Sequence, residues 1–120
     1  MFSEKLLDHF RSPRNAGELA EATTHVEVTN PVCGDVLQLS ANVESGVVRE
    51  VHFLCRGCAA AIACASLLTE MITGKSLEDL GKLEAATVAS EIGGLPEASF
   101  HAAQLAEDSL KALLRAASSS

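Results

Sequence analysis

The side chains best suited to chemistry in this chain are its four cysteines, three of which lie within ten residues of one another. These three are Cys55, Cys58 and Cys64, while Cys33 lies earlier, in the turn-forming segment 30–35. Cysteine thiolates bind zinc and iron and exchange with other sulfur compounds. The chemistry to consider is therefore metal binding or thiol transfer.

Cys58 marks the start of a predicted helix. A strand-like pattern containing Val51 and Phe53 stops at the segment 55–58, and an alanine-rich helical run follows, to about Thr73, before Gly74. Free backbone N–H groups and the helix dipole favour an anion at a helix N-terminus. Cys58 is thus placed where a thiolate is favoured.

Cys33 and Cys58 are predicted to share one site. Cys33 precedes the second of three predicted strands, and Cys58 follows the third, so in an antiparallel hairpin both loops emerge at the same end of the sheet. Asp35 adds a carboxylate oxygen, and we expect Gly34 and Gly57 to keep the two turns flexible. Thiolate and carboxylate ligands together suit zinc or iron.

The other two cysteines have different interpretations. Cys64 lies inside the predicted helix, on another face from Cys58, and we expect it to pack as a small buried hydrophobe. Cys55 and Cys58 form a CxxC pair, which is found both in metal sites and in redox dithiols. The residues alone leave both interpretations open.

One histidine stands out from the other three. His101 opens the last predicted helix, where a neutral imidazole is able to bind a metal. His9, His25 and His52 occur in contexts typical of the protein surface. His101 is therefore the candidate nitrogen ligand.

The elements that must position these residues form a small α+β fold. Three alternating segments with short connections predict an antiparallel meander. The fold class expected is α+β, a three-stranded antiparallel sheet with helices packed on one face and the ligand loops clustered at one end, in a single domain over residues 1–120. The predicted strands are 24–29, 37–43 and 47–53, and the predicted helices are 3–10, 59–73, 77–83, 86–92 and 100–116. Ser3 is the predicted N-cap of the first helix, and Ser76 that of the third.

Composition narrows the class of partner and the compartment. With 16 acidic and 9 basic residues the net charge is −7, which argues against nucleic-acid binding because phosphate backbones need clustered cations. The start of the chain has no secretory pattern, and the longest small-apolar run is about half a membrane span. We therefore expect a cytoplasmic protein without a membrane partner, whose cysteines serve metal or thiol chemistry rather than disulfides.

Several short motifs occur in an order that resembles a known family, the NifU/IscU-type iron–sulfur cluster assembly scaffolds. The likeness covers nearly the whole chain. Its motifs are Ser3-Glu4-Lys5, Asp8-His9-Phe10, Pro13-Arg14-Asn15-Ala16-Gly17, Asn30-Pro31-Val32-Cys33-Gly34-Asp35, Gly57-Cys58-Ala59, Thr69-Glu70, Gly74-Lys75-Ser76, Leu95-Pro96, and His101 with Leu105-Ala106-Glu107-Asp108.

This resemblance implies a function and a ligand set. Such scaffolds are not enzymes: they accept sulfur from a cysteine desulfurase, gather iron, build a labile [2Fe-2S] cluster and pass it to recipient proteins, and some bind zinc at the same place. Carried over by motif, the ligands are Cys33, Asp35 and Cys58, with His101 beside them. The protein is then expected to be a monomer or a weak homo-oligomer.

The chain departs from the family pattern at four places, one of which is Phe2, where many relatives have a tyrosine. Ala102 stands where the family has its third cysteine, and Cys55 is a cysteine that the family usually lacks, so we hypothesise that Cys55 restores the missing thiolate. The segment 95–99 lacks the second proline and the lysine of the chaperone-recognition form, so we do not expect an Hsp70-type chaperone to dock. The alternatives are a zinc-binding protein, a dithiol or persulfide relay using Cys55 and Cys58, and a paralogue without assembly activity.

Overall fold

The computed structural model describes residues 1–118 and contains one three-stranded sheet and five α-helices in that part of the chain. The strands follow the order β1-β2-β3 and both pairs are antiparallel. The elements are α1 (Glu4–Arg11), β1 (Thr24–Thr29), β2 (Val36–Glu44), β3 (Val47–Arg56), α2 (Ala59–Ile72), α3 (Leu77–Leu80), α4 (Ala85–Glu91), a 3-10 turn (Glu97–Ser99) and α5 (Phe100–Ser118).

The helices pack on the apolar face of the sheet. In β2 the side chains of Leu37, Leu39 and Ala41 are buried, as expected from their alternation with polar residues. Helix α2 packs against β3, and α5 packs against β1 and β2. Small alanine side chains fill α2, so this helix is able to lie close to its neighbours. The predicted α+β class, with an antiparallel sheet and packed helices, is confirmed.

Two predicted helix caps are present in the structure. The Ser3 hydroxyl oxygen accepts the N–H of Leu6 and begins α1, and the Ser76 hydroxyl oxygen accepts the N–H of Asp79 and begins α3. Helix α3 ends at Leu80, three residues before the predicted end. None of the helices described within residues 1–118 combines the length and the apolarity needed to cross a bilayer.

Strand β3 is longer than the sequence pattern predicts. The alternation was expected to stop at Cys55, but pairing with β2 continues through Cys55 opposite Leu37 and ends at Arg56 opposite Val36. Pairing between β2 and β3 continues into the CxxC segment, and the chain leaves the sheet only after Arg56. The predicted strand over 47–53 therefore ends three residues too early, and Cys55 is a strand residue.

Candidate metal centre

Three potential ligand atoms converge at one end of the sheet. One atom each from Cys33, Asp35 and His101 lie within 4.8 Å of one another. Cys33 belongs to the loop between β1 and β2, Asp35 immediately precedes β2, and His101 lies in the first turn of α5. The structure thus brings a thiol, a carboxylate and an imidazole together from segments far apart in the chain.

Cys58 joins this group through His101. Its Sγ atom lies 3.8 Å from Nε2 of His101, and its backbone N–H points to Oδ2 of Asp35 at an N···O distance of 3.4 Å. Cys58 is the N-cap residue of α2, as predicted, yet its side chain makes no capping hydrogen bond. The sulfur is therefore available to a ligand rather than to the helix.

The orientation of His101 leaves one ring nitrogen facing the group. Its Nδ1 atom lies 3.1 Å from the carbonyl oxygen of Ala98, in the 3-10 turn. A carbonyl only accepts hydrogen bonds, so this contact assigns the ring proton to Nδ1. Nε2 faces the Cys58 sulfur and lies 3.9 Å from Oδ2 of Asp35, and in the neutral ring it carries the lone pair that a metal ion would take. This is the tautomer that binds metals.

Gly57 admits the Asp35 carboxylate to the site. A Cβ atom at position 57 would lie 2.7 Å from Cγ and 2.8 Å from Oδ2 of Asp35, which is closer than Cβ atoms in proteins approach non-bonded heavy atoms. The backbone of Gly57 is not in the left-handed region, in contrast to Gly34, whose φ is +78°. Gly57 therefore provides space for the carboxylate, while the expected flexibility of this turn stays a prediction.

Cys55 lies beside the group but outside its three mutually close atoms. Its half-buried side chain alternates in the same direction as the core residues Val51 and Phe53 of β3. Burial, followed by the nearby charges of Asp35, Cys58 and Cys33, raises the pKa of the Cys55 thiol to about 12. A thiol of this kind stays protonated at neutral pH, unlike the reactive thiols of redox dithiols.

Cys64 and Ala102 contribute no ligand atom to the group, and both are buried inside helices. Cys64 is completely buried within α2, where burial raises its pKa to about 12, so it packs as expected. Ala102, one residue after His101, is also buried. All four cysteines are free thiols.

Sequence reasoning missed two buried polar residues. His9, expected at the surface, is 3% exposed, and its Nδ1 lies 2.8 Å from the Ser66 hydroxyl oxygen. Its three-residue spacing from the apolar Leu6 was the signal that the two share a helix face. Asn30, directly before the Cys33 loop, is 4% exposed and bonds several parts of the site. The Asn-Pro turn was its only signal.

Comparisons with known proteins find a matching family model and relatives that are 41% identical in sequence. The family model described as the NifU-like N terminal domain matches residues 1–118. The iron-sulfur cluster assembly scaffold protein IscU 1 of Archaeoglobus fulgidus is 41% identical over 111 residues, which are 92% of this chain and 72% of that protein. The IscU scaffold of Haemophilus influenzae is 41% identical over 117 residues, covering 94% of this chain and 92% of its own.

Solved structures share the fold. The structure of FiSufU from Fervidobacterium islandicum AW-1 matches with a TM-score of 0.72 and 22% identity, covering 94% of this chain and 96% of the other. The N-terminal part of a NifU-like protein from Brucella abortus matches with a TM-score of 0.65 and 22% identity, covering 97% of this chain and 82% of the other. At this identity the likeness concerns the arrangement of sheet and helices.

Proposed function

The chain belongs to the family of NifU-like N-terminal domains, and from this premise we propose that it is a scaffold for iron–sulfur cluster assembly. Relatives at 41% identity carry that name. In this role the protein is not an enzyme: a cysteine desulfurase supplies the sulfur, the scaffold holds iron and sulfide as cargo, and recipient proteins take the cluster. We propose the cytoplasm as its compartment, where reducing conditions keep the four thiols free.

The observation that carries this proposal is the convergence of unlike donor atoms at one end of the sheet. Cys33, Asp35 and His101 offer atoms within 4.8 Å of one another, and the Cys58 sulfur lies 3.8 Å from His101. Two thiolates, one carboxylate and one imidazole are ligands for iron, and zinc accepts the same set. We propose these four residues as the ligands.

The exposure of the thiols suits a cluster that must leave. Cys33 and Cys58 are both exposed, whereas structural metal sites are closed by four protein ligands. Mixed oxygen, nitrogen and sulfur ligation also differs from the four cysteines that hold most clusters permanently. This arrangement supports a [2Fe-2S] cluster that is assembled at the surface and handed on.

We propose Cys55 as the additional thiolate that Ala102 does not provide. The thiol lies close enough to Asp35, Cys58 and Cys33 for their charges to act on it. A coordinating metal deprotonates a thiol outright, so the raised pKa of the free thiol is compatible with ligation of the cargo. The same raised pKa disfavours a relay in which Cys55 attacks a disulfide or persulfide.

Reconstitution under anaerobic conditions tests the scaffold. Purified protein given ferrous iron, cysteine, a cysteine desulfurase and a thiol reductant, which reduces the transferred sulfur to sulfide, should develop the visible absorption of a [2Fe-2S] cluster and transfer it to an apo-ferredoxin. Cys33→Ser and Cys58→Ser should lose most of the cluster. Cys64→Ala is the matched control, because this thiol is fully buried inside α2 and offers no atom to the group of ligands, and it should retain the cluster.

Two outcomes would contradict the proposal. A colourless protein that retains one tightly bound zinc under the same conditions would make it a zinc-binding relative. A cluster that forms equally well in Cys33→Ser and Cys58→Ser would show that the ligands lie elsewhere.

The role of Cys55 is tested separately. If Cys55 is a ligand, Cys55→Ser lowers cluster yield several-fold and shifts the visible bands, and Ala102→Cys restores yield in that background. An unchanged yield and spectrum in Cys55→Ser would overturn its role while leaving the scaffold proposal intact.

A further inference from the structure

Asn30 is hydrogen-bonded to the segments that carry three of the proposed ligands, Cys33, Asp35 and His101. It directly follows β1 and is 4% exposed. Its side-chain oxygen accepts the N–H groups of Val32 at 2.8 Å and Cys33 at 3.2 Å. Its side-chain nitrogen donates to the carbonyl oxygen of His101 at 3.4 Å. One amide therefore joins the Cys33 loop to the first turn of α5, where its partner His101 lies 71 positions after Asn30.

The backbone of Asn30 closes the same loop. Its N–H donates to the carbonyl oxygen of Asp35 at 2.8 Å, and its carbonyl oxygen accepts the N–H of Gly34 at 2.9 Å. The segment between Asn30 and Asp35 is thus a closed turn. Cys33 is exposed on this turn, and the adjoining Val32 is 88% exposed. Such an exposed loop has little packing to hold it, so its order depends on these bonds.

We propose that Asn30 is a positioning residue that sets the Cys33 thiol against the His101 imidazole before any metal arrives. This inference rests on the ligand set of the proposed function and adds a residue that supplies no ligand atom. Residues that orient metal ligands in this way commonly account for about 10-fold to 100-fold in metal affinity. Asn30 does so by fixing two backbones, those of Cys33 and His101, relative to each other.

Two substitutions distinguish the function of the side-chain oxygen of Asn30 from that of its side-chain nitrogen. Asn30→Ala removes both atoms. Asn30→Asp keeps an oxygen for the N–H groups of Val32 and Cys33 but places an oxygen against the carbonyl of His101, which repels it. Asn42→Ala is the matched control, because Asn42 in β2 also accepts a backbone N–H, that of Thr23, but six residues along the strand from the site end at Val36.

Titration with Zn²⁺ and Co²⁺ is the first measurement. We expect Asn30→Ala to lower Zn²⁺ affinity about 10-fold to 100-fold and to change the Co²⁺ absorption bands, which report ligand geometry rather than fold stability. Asn42→Ala should match the parent in both. Parental affinity within twofold and an unchanged Co²⁺ spectrum in Asn30→Ala would overturn the inference.

Amide hydrogen exchange on the parent protein without metal is the second measurement. The N–H groups of Val32 and Cys33 should exchange much more slowly than in an unfolded peptide, although both residues are exposed. Asn30→Asp should preserve this protection while shifting the ring ¹⁵N signals of His101. Unprotected amides in the parent, or an unshifted His101 in Asn30→Asp, would overturn the inference.

The two proposals fail in different ways. If the parent binds neither metal, the ligand set of the proposed function is wrong, and exchange at Val32 and Cys33 still decides whether Asn30 orders the loop. If the parent binds metal and the Asn30 variants behave like it, the ligand set stands and the positioning role falls.

Discussion

At the scale of single residues, the site depends on space as much as on donor atoms. Asp35 approaches Cys58 only because position 57 has no side chain. His101 faces the group only because the carbonyl oxygen of Ala98 holds its other nitrogen. Neither Gly57 nor Ala98 supplies a ligand atom, yet we expect both to affect metal binding.

We expect Gly57→Ala to weaken Zn²⁺ binding about 10-fold to 100-fold while changing the free energy of unfolding little. The added Cβ atom would lie 2.7 Å from Cγ of Asp35 and must push the carboxylate away from the Cys58 N–H. Isothermal titration with Zn²⁺ measures the loss. Gly81→Ala is the control, since its Cβ atom would meet its nearest neighbour at 3.4 Å, far from the site. Equal affinity in Gly57→Ala and the parent would contradict this account.

At the scale of secondary-structure elements, the sequence predicts what local patterns encode. Alternation of apolar and polar residues located all three strands, and Ser3 and Ser76 located two helix starts. The last residues of β3 were missed because a CxxC segment looks like a loop and the pairing of Cys55 with Leu37 depends on the neighbouring strand. The contact of Asn30 with His101 was missed for the same reason, because its partners are 71 positions apart.

The start of α4 shows a cap that no local pattern encodes. The side chain of its N-cap residue, Glu84, makes no capping hydrogen bond. Glu107 of α5 supplies the acceptor, with Oε1 2.6 Å from the backbone nitrogen of Ala85 and Oε2 2.8 Å from Nζ of Lys111. The hydrogen bond from Lys111, followed by that from Ala85, lowers the pKa of Glu107. The Glu107 carboxylate of α5 thus caps the first turn of α4.

We expect Glu107→Ala to lower the free energy of unfolding by about 1–3 kcal/mol, because it leaves the buried N–H of Ala85 without an acceptor. Glu107→Gln keeps an oxygen for that N–H and should cost less. Urea denaturation at pH 7 measures both. Glu91→Ala, an exposed glutamate of α4, is the control and should stay within about 0.5 kcal/mol of the parent. A Glu107→Ala variant as stable as the parent would show that the cap is unimportant.

At the scale of the whole molecule, α1 and the loop that follows it are attached to α2 by hydrogen bonds of polar side chains. The Ser66 hydroxyl oxygen lies 2.8 Å from Nδ1 of His9 and accepts the N–H of Arg14 at 2.8 Å. The side-chain amide of Asn15 donates to the Thr69 hydroxyl oxygen at 3.1 Å. Because these contacts join α1 and the following loop to α2, losing them affects the cooperative unit as a whole.

His9 makes this attachment sensitive to acid. Burial, followed by the charge of Arg14, lowers the pKa of His9, while the carboxylates of Glu70 and Asp8 only partly oppose this effect. The unfolded chain therefore binds a proton at His9 at a higher pH than the folded chain does. Its contribution to stability is complete above the unfolded pKa of about 6.5 and is lost as the pH falls from there towards the folded pKa.

We expect the free energy of unfolding of the metal-free protein to fall between pH 7 and pH 5.5, and His9→Asn to reduce this slope. Asparagine places a polar atom near the position of Nδ1 but does not titrate, so it removes the proton uptake while retaining a partner for Ser66. Urea denaturation at pH 7.0, 6.5, 6.0 and 5.5 measures the slope. His25→Gln is the matched control, since His25 is exposed, with its Nε2 3.4 Å from Glu18, and this variant should keep the parental slope. If His9→Asn kept the parental slope and His25→Gln lost it, the acid sensitivity would belong to the surface of the sheet rather than to the attachment of α1 to α2.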